Sequence, residues 1–210
     1  MILTKKAIEQ EIDRGRIEIE PLVPELFNPN SVNVRLHEKL LVYDVDEATQ
    51  WTRFLRRRLP VGWADVLGLP PSEIDLEAIP KAREVIIPEK GLVLQPGTLY
   101  IGSTVERTYS PYHVPLYEGR SSMARVGLES HVCAGWGDVG FNGQWTLEIR
   151  VTYPTRVYPD MEIGQVGFIA VEGEIEPYGS EGYASRYQNQ SGPTAYKGAG
   201  SLIRKRTENG

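Results

Sequence analysis

The sequence predicts an all-β protein that carries a few short helices. Three observations lead there. From Leu92 onward, short runs of alternating apolar and polar residues recur at close spacing. Pro-Gly, Asn-Gly and other glycine-rich pairs separate them as turn signals. Helical periodicity is clear only near the N-terminus. Several short strands punctuated in this way indicate a sandwich, a jelly roll or a small barrel. At 210 residues, one domain spanning 1–210 is expected.

Leu3, Ala7, Ile8 and Ile12 fall on one helical face, with Thr4 at the start and Gly15 as a stop. Residues 16–23 (RIEIEPLV) then alternate like a strand and are broken by Pro21. Residues 31–41 (SVNVRLHEKLL) alternate again and read as one strand, continued through 40–45. Between Glu47 and Lys90 the character changes. Trp51, Phe54 and Leu55 are weakly helical, prolines punctuate the stretch, and Arg53 with Arg56, Arg57 and Arg58 forms a basic cluster that reads as a solvated face. This segment reads as an insertion on the main body. The runs LVLQPGTLYIGSTVERTY, YHVPLYEGR, QWTLEIRVTYP and IGQVGFIAVEG supply the later strands. From Glu176 the chain is polar, glycine-rich and weakly periodic, and residues 176–210 read as a flexible C-terminal lid.

Composition narrows the function. A net charge of −5 argues against a nucleic-acid coat or an anionic membrane surface as partner. Cys133 is the single cysteine, so no internal disulfide can form, and the N-terminus lacks an apolar signal core. A cytoplasmic protein with no membrane partner is expected. His37, His113, His131 and Cys133 lack zinc-site spacing, and neither phosphate-loop motif with its glycines and lysine is present.

What remains is carboxylate chemistry beside groups able to hold phosphate. Residues 118–150 pack arginines, adjacent serines and glycines among short apolar runs. Arg120, Ser121 and Ser122 offer a guanidinium, hydroxyls and backbone N–H groups at a turn. Asp138 lies in a glycine-flanked turn, where it could meet a sugar hydroxyl or orient water. Glu148 follows Thr146 by two residues, so the two share a strand face. Were that face inward, the carboxylate would need a partner or a function. Taken singly, each of these features has a plain structural explanation.

Their order and spacing are more specific. The blocks TKKAIEQEIDRGRI, NVRL, LQPG, EGRSSMARVGLESHVCAGWGDVGFNGQWTLEI, MEIGQVGF and RYQNQSGPTA resemble the dCTP deaminase branch of the dUTPase-like superfamily. The resemblance implies a distorted jelly-roll or β-clip fold, assembled as a homotrimer with sites at subunit interfaces. It implies a dCTP or dUTP-type nucleotide, with Mg2+ carried on its triphosphate, deaminated without zinc to dUTP and ammonia. It assigns Glu148 as the general base that activates water. Ser121 and Arg125 would hold the water and polarise the site, the carbonyl of Ala134 would fix the water or amino group, and Asp138 would contact the deoxyribose. Arg120, Ser121, Ser122 and Gln165 fall on phosphate-side positions, while Tyr178, Arg186 and Gln190 match the closing tail.

The alternatives are a plain dUTPase, which typically lacks counterparts of Glu148 and Arg125, and an inactive nucleotide-binding regulator. Gly135 after Ala134 leans towards a bifunctional enzyme that continues to dUMP. The chain departs from the family pattern at Cys133 (commonly threonine), Gly137 (isoleucine), Val139 (proline or alanine), Asn33 (aspartate) and Arg186 (lysine). Cys133 bears on water positioning and on feedback inhibition by thymidine triphosphate. Gly137 suggests a widened wall that admits a 5-substituted dCTP, unless Trp136 or Phe141 refills the space.

Overall fold

Thr4 opens the first helix through its side chain, which accepts a hydrogen bond from the backbone N–H of Ala7 at 3.4 Å. The helix, α1 (Lys5–Asp13), buries Ile8 completely and ends at Gly15, whose φ of +67° suits a residue without a side chain. The computed structural model describes residues 1–43, 58–60, 63, 79, 81–131, 135–181 and 185–197. Two compact units are present. One comprises Met1–Val42 with Glu84–Ala195, and the other Tyr43–Arg83 with Tyr196–Gly210.

Strands follow α1, most of them in the expected runs, while Phe27–Asn28, Ala82–Ile86, Leu128–Glu129 and Thr155–Val157 lie outside those runs. The strands are β1 (Glu18–Glu20), β2 (Phe27–Asn28), β3 (Ser31–Arg35), β4 (Lys39–Tyr43), β5 (Ala82–Ile86), β6 (Leu92–Leu94), β7 (Tyr100–Tyr109) and β8 (His113–Gly119). One helical turn, α2 (Ser121–Ala124), precedes β9 (Leu128–Glu129), β10 (Asn142–Val151), β11 (Thr155–Val157) and β12 (Glu162–Ala170). A six-stranded sheet runs β5-β4-β7-β10-β9, with β1 also on β7. A four-stranded sheet runs β2-β3-β12-β8, and β11 with β6 forms a ribbon. The pairs β1–β7, β4–β7, β10–β7, β10–β9, β11–β6, β12–β3, β12–β8 and β2–β3 are antiparallel. Alternation places Trp145, Leu147 and Ile149 of β10 in the core with Val32 and Val34 of β3 and Val166 and Phe168 of β12.

One expectation is corrected. Residues 31–41 are not a single strand, because β3 and β4 lie in different sheets. Leu36 still bonds towards the β12 side, donating to the carbonyl of Met161 at 2.8 Å. The next residue, His37, donates to the carbonyl of Ser103 on β7 at 2.9 Å, and the chain has crossed. Alternation persists through the crossing since Leu36 and Leu40 are both fully buried, so the sequence period carries no mark of it. The expected insertion at 47–90 overlaps the second unit. Trp51, Phe54, Leu55, Arg53, Arg56 and Arg57 lie outside the described residues, and Arg58 is exposed.

The crossing is pinned by a buried charge. Glu106 of β7 is fully buried and accepts two hydrogen bonds from Arg35, one from its backbone N–H and one from Nε, each 2.7 Å. Removing one partner of such a pair strands the other charge. Arg35→Met is therefore expected to cost about 3–5 kcal/mol in urea denaturation. A loss below about 1 kcal/mol would mean that the backbone N–H satisfies Glu106 unaided.

Candidate active site

Glu148 stands in the middle of β10, on the face opposite Trp145, Leu147 and Ile149. It shares that face with Thr146, and its partner across β7 is Ile101. The side chain is half-buried there. Burial holds its carboxyl above the usual carboxylate range, against the opposing pull of a hydrogen bond at its own backbone and of the His131 imidazole. Thr146 itself holds a buried hydroxyl without a partner, as does Ser103 directly across from it on β7. Unsatisfied polar atoms on the carboxylate's own strand face mark a place where water or a polar ligand would be held.

His131 joins this carboxylate to the neighbouring sheet. Its ring stands edge-on to Tyr117 of β8, with centroids 5.3 Å apart, and its Nε2 lies 3.7 Å from Glu118 Oε2. Its Nδ1 is buried without a hydrogen-bond partner. In the sequence, His131 counts only as a candidate zinc ligand, and is set aside for want of spacing. No local pattern announces its placement beside a carboxylate 17 residues further along.

Of the groups expected to face phosphate, Gln165 stands on the second sheet and Arg120 directly beside it. Gln165 of β12 lies between Asn33 of β3 and Glu118 of β8 in the strand register. Its Oε1 accepts from the Ser31 hydroxyl at 2.7 Å, which leaves its NH2 as the outward donor. Arg120, immediately after β8, forms an ion pair with Glu162. Ser121, Ser122 and Arg125 are exposed on and beside α2. No hydrogen bond or ion pair joins Ser121 or Arg125 to Glu148 among the described residues.

Ala134 lies outside the described residues, as does Cys133. Asp138 is exposed, and its carbonyl accepts from the backbone N–H of Phe141 at 3.1 Å to close the turn. The polar tail lies along β10. Asn189 N–H donates to the Asn142 carbonyl at 2.7 Å, and Gln190 Nε2 donates to the Gln144 carbonyl at 2.6 Å. Tyr178 sits against Phe141 at 6.2 Å between centroids, and its hydroxyl accepts from the Tyr187 N–H at 3.1 Å. Arg186 is half-buried in the same stretch.

Gly137 does not open a void. A Cβ there would come within 2.5 Å of the Trp145 ring and 2.9 Å of Pro115. Trp145, not Trp136 or Phe141, takes up the space that a larger residue would need.

A mostly β chain with a half-buried carboxylate on one sheet and a row of amide and guanidinium donors on the next is built to hold a polar, anionic molecule. Comparison with known proteins makes this specific. A family model described as dCTP deaminase-like matches residues 2–171. A dUMP-forming dCTP deaminase of Hathewaya histolytica is 41% identical over 192 residues, covering 91% of this chain and 94% of that one. One from Leptospira biflexa is 44% identical over 183 residues, covering 87% and 90%. A solved 2'-deoxycytidine 5'-triphosphate deaminase from Agrobacterium tumefaciens superposes with a TM-score of 0.55 at 19% identity. It covers 81% of this chain, which spans about half (48%) of that one, and the likeness speaks to the fold. The chain belongs to the dCTP deaminase-like family, and its fold is the mostly β, dUTPase-like architecture with a few short helices.

The docked tail generates an expectation. Ending the chain after residue 183 removes Gln188, Asn189 and Gln190 and so exposes the edge of β10 at Asn142 and Gln144. Turnover should fall at least tenfold while the cooperative unfolding transition is retained. Loss of that transition would make the tail a structural strand and not a lid.

Proposed function

We propose that this protein hydrolyses the 4-amino group of dCTP, giving dUTP and ammonia, and carries the product on to dUMP and pyrophosphate. The observation that carries the reading is Glu148, a half-buried carboxylate whose affinity for protons is raised by burial. Water attacks an aromatic amidine poorly, so it must lose a proton as it adds to the ring carbon. A positioned base with a pKa nearer the working pH accelerates such a step by about 10²–10⁴-fold. The proton taken by Glu148 can then be returned to the departing amine. Arg120, Ser121, Ser122 and Gln165 would hold the triphosphate; Asp138 would contact the deoxyribose. Ser121, Arg125 and the Ala134 carbonyl would orient water and base, with Tyr178, Arg186 and Gln190 closing over them.

The dUMP-forming step is supported by the names of the two bacterial relatives and by Gly135 after Ala134. A homotrimer belongs to the same proposal. Among the described residues, Ser121 and Arg125 stand exposed and unconnected to Glu148 of their own chain, as suits a site completed by a second copy. Mg2+ is proposed to ride on the triphosphate, because the phosphate-side residues are cationic or neutral donors and no three His, Cys, Asp or Glu converge among the described residues. When bound, it would offset phosphate charge. Independence from zinc and a cytoplasmic location complete the proposal, and no helix among the described residues is long and apolar enough to cross a membrane. With Trp145 filling the space beside Gly137, we propose dCTP ahead of its 5-substituted forms as substrate. In a plain dUTPase, the half-buried Glu148 carboxyl would have no task.

The test follows ammonia, pyrophosphate and nucleotide products from dCTP, dUTP and 5-methyl-dCTP, with and without Mg2+. Ammonia and dUMP from dCTP are expected, with 5-methyl-dCTP turned over no faster. Hydrolysis of dUTP alone would establish the plain dUTPase, and binding without products an inert regulator.

Glu148→Gln should lower ammonia release by at least about 10²-fold while nucleotide affinity stays within a few-fold. Residual turnover near the parent's level would remove Glu148 from the role of base. The raised pKa also sets two signs. The ionised base is reached only above the usual carboxylate range, so kcat in the parent should fall on the acid side at a higher pH than an exposed glutamate would give. A carboxyl held up in the folded state favours folding below its unfolded pKa, and that benefit is lost as pH rises through the folded one. Glu148→Gln should therefore be at least as stable as the parent at pH 7, which thermal unfolding measures.

A further inference from the structure

Arg120 does not stand alone on its sheet. Its Nη1 is paired with Glu162 Oε2, and the same carboxylate oxygen accepts a hydrogen bond from Asn33 Nδ2 at 2.6 Å. Asn33 is only 6% exposed. Its Oδ1 in turn accepts from Asn28 Nδ2, also at 2.6 Å. The amide's orientation follows from this chain of contacts. A carboxylate can only accept, so Asn33 must turn its NH2 to Glu162 and its oxygen to Asn28. The result is a polar relay of fixed sense, Asn28 to Asn33 to Glu162, with Arg120 donating from the far end.

We infer that Asn33 and Glu162 are positioning residues that hold the Arg120 guanidinium ready for the anionic end of the ligand. The inference rests on the nucleotide-triphosphate reading above and deepens it. A long side chain that must be immobilised on binding loses affinity, by up to about tenfold for a rotamer-rich residue, and one already held loses less. Glu162 engages one terminal nitrogen of Arg120. The other N–H groups of the planar fork remain for phosphate oxygens. Arg120 is 31% exposed at its side chain and Glu162 38%, so water reaches the pair and its worth lies in geometry more than in stability. Gln165 is held by Ser31 in the same manner, and the two prepared donors flank one sheet face.

The relay explains why residue 33 is an amide in this chain. An aspartate there would set a second carboxylate against Glu162 at the distance of a hydrogen bond, with no proton between them. Glutamine at 162 is the milder change. Because the single oxygen Oε2 accepts from both Asn33 and Arg120, the carbonyl oxygen of a glutamine can keep both contacts without the charge. Leucine at 162 keeps neither and leaves the Asn33 NH2 and Arg120 without their shared acceptor.

The experiment uses the full chain as parent, Asn33→Asp, Glu162→Leu and Glu162→Gln. It measures KM and kcat for dCTP, and separately the Kd of inorganic tripolyphosphate by calorimetry. Asn33→Asp and Glu162→Leu are each expected to raise KM and the tripolyphosphate Kd about tenfold, at the upper end of what lost immobilisation allows, with kcat within about twofold. Glu162→Gln, which keeps the shared acceptor oxygen, should hold both affinities to within about threefold of the parent. Affinities unmoved or tightened in Asn33→Asp and Glu162→Leu, or a Glu162→Gln no better than Glu162→Leu, would overturn the inference. A parent that releases no ammonia from dCTP would instead sink the deaminase reading, and the tripolyphosphate series would still decide whether the relay positions Arg120.

Discussion

Tyr117 is the constraint on which the two sheets and the site between them depend. Its ring is 1% exposed, and its hydroxyl donates to Ser130 Oγ at 2.7 Å within the core. Burial pushes that hydroxyl well above the ordinary tyrosine range, so it stays a neutral donor. Around it the chain must give way. A Cβ at Gly164 would fall 2.2 Å from the Tyr117 hydroxyl oxygen, and one at Gly135 would fall 2.3 Å from its carbonyl. Neither contact can be relieved cheaply, because one abuts an immobilised ring and the other backbone. The two glycines are thus requirements of one buried aromatic.

From this point an aromatic series runs through the unit. Tyr117 stacks on Trp145 at 6.0 Å, Trp145 meets Phe141 edge-on at 5.5 Å, and Phe141 leans on Tyr178 at the start of the tail. The first link joins β8 to β10, and the last ties the turn before β10 to the segment that runs along its edge. Trp145 is fixed further by two hydrogen bonds with β7, through its backbone and its indole N–H, to the hydroxyls of Thr104 and Thr108. These contacts set the strand that carries Glu148. They also bring His131, edge-on to Tyr117, close enough to act on that carboxylate. The raised pKa of Glu148 is in this sense a product of core packing. The strand is anchored by its buried face, and the opposite face is left partly dry.

The polar groups of the four-stranded sheet obey a different logic. Ser31, Asn33, Glu162 and Gln165 are short or medium polar residues, each satisfied by another from a strand far away in sequence. Buried polar groups of this kind specify orientation, since each donor and acceptor has one permitted neighbour. Arg120 and Gln165 inherit their directions from that arrangement. It also gives Asn33, a departure from the family pattern, a physical reason.

Much of this was legible without coordinates. Thr4, the Leu3-Ala7-Ile8-Ile12 face and Gly15 delimit a helix by local chemistry alone. The period of two places Glu148 and Thr146 on one side of a strand whatever the strand packs against. The order of the blocks around residues 118–150 carries the family. What the sequence could not say is which side of β10 faces the core, that residues 31–41 change sheets at Leu36, or that Trp145 fills the space beside Gly137. Nor could it pair Asn33 with Glu162, 129 residues apart. Propensity and alternation are properties of neighbouring residues, and they depend on backbone geometry that every strand shares. Desolvation, ion pairing and close contact depend on which distant segments meet, and only the folded chain decides that.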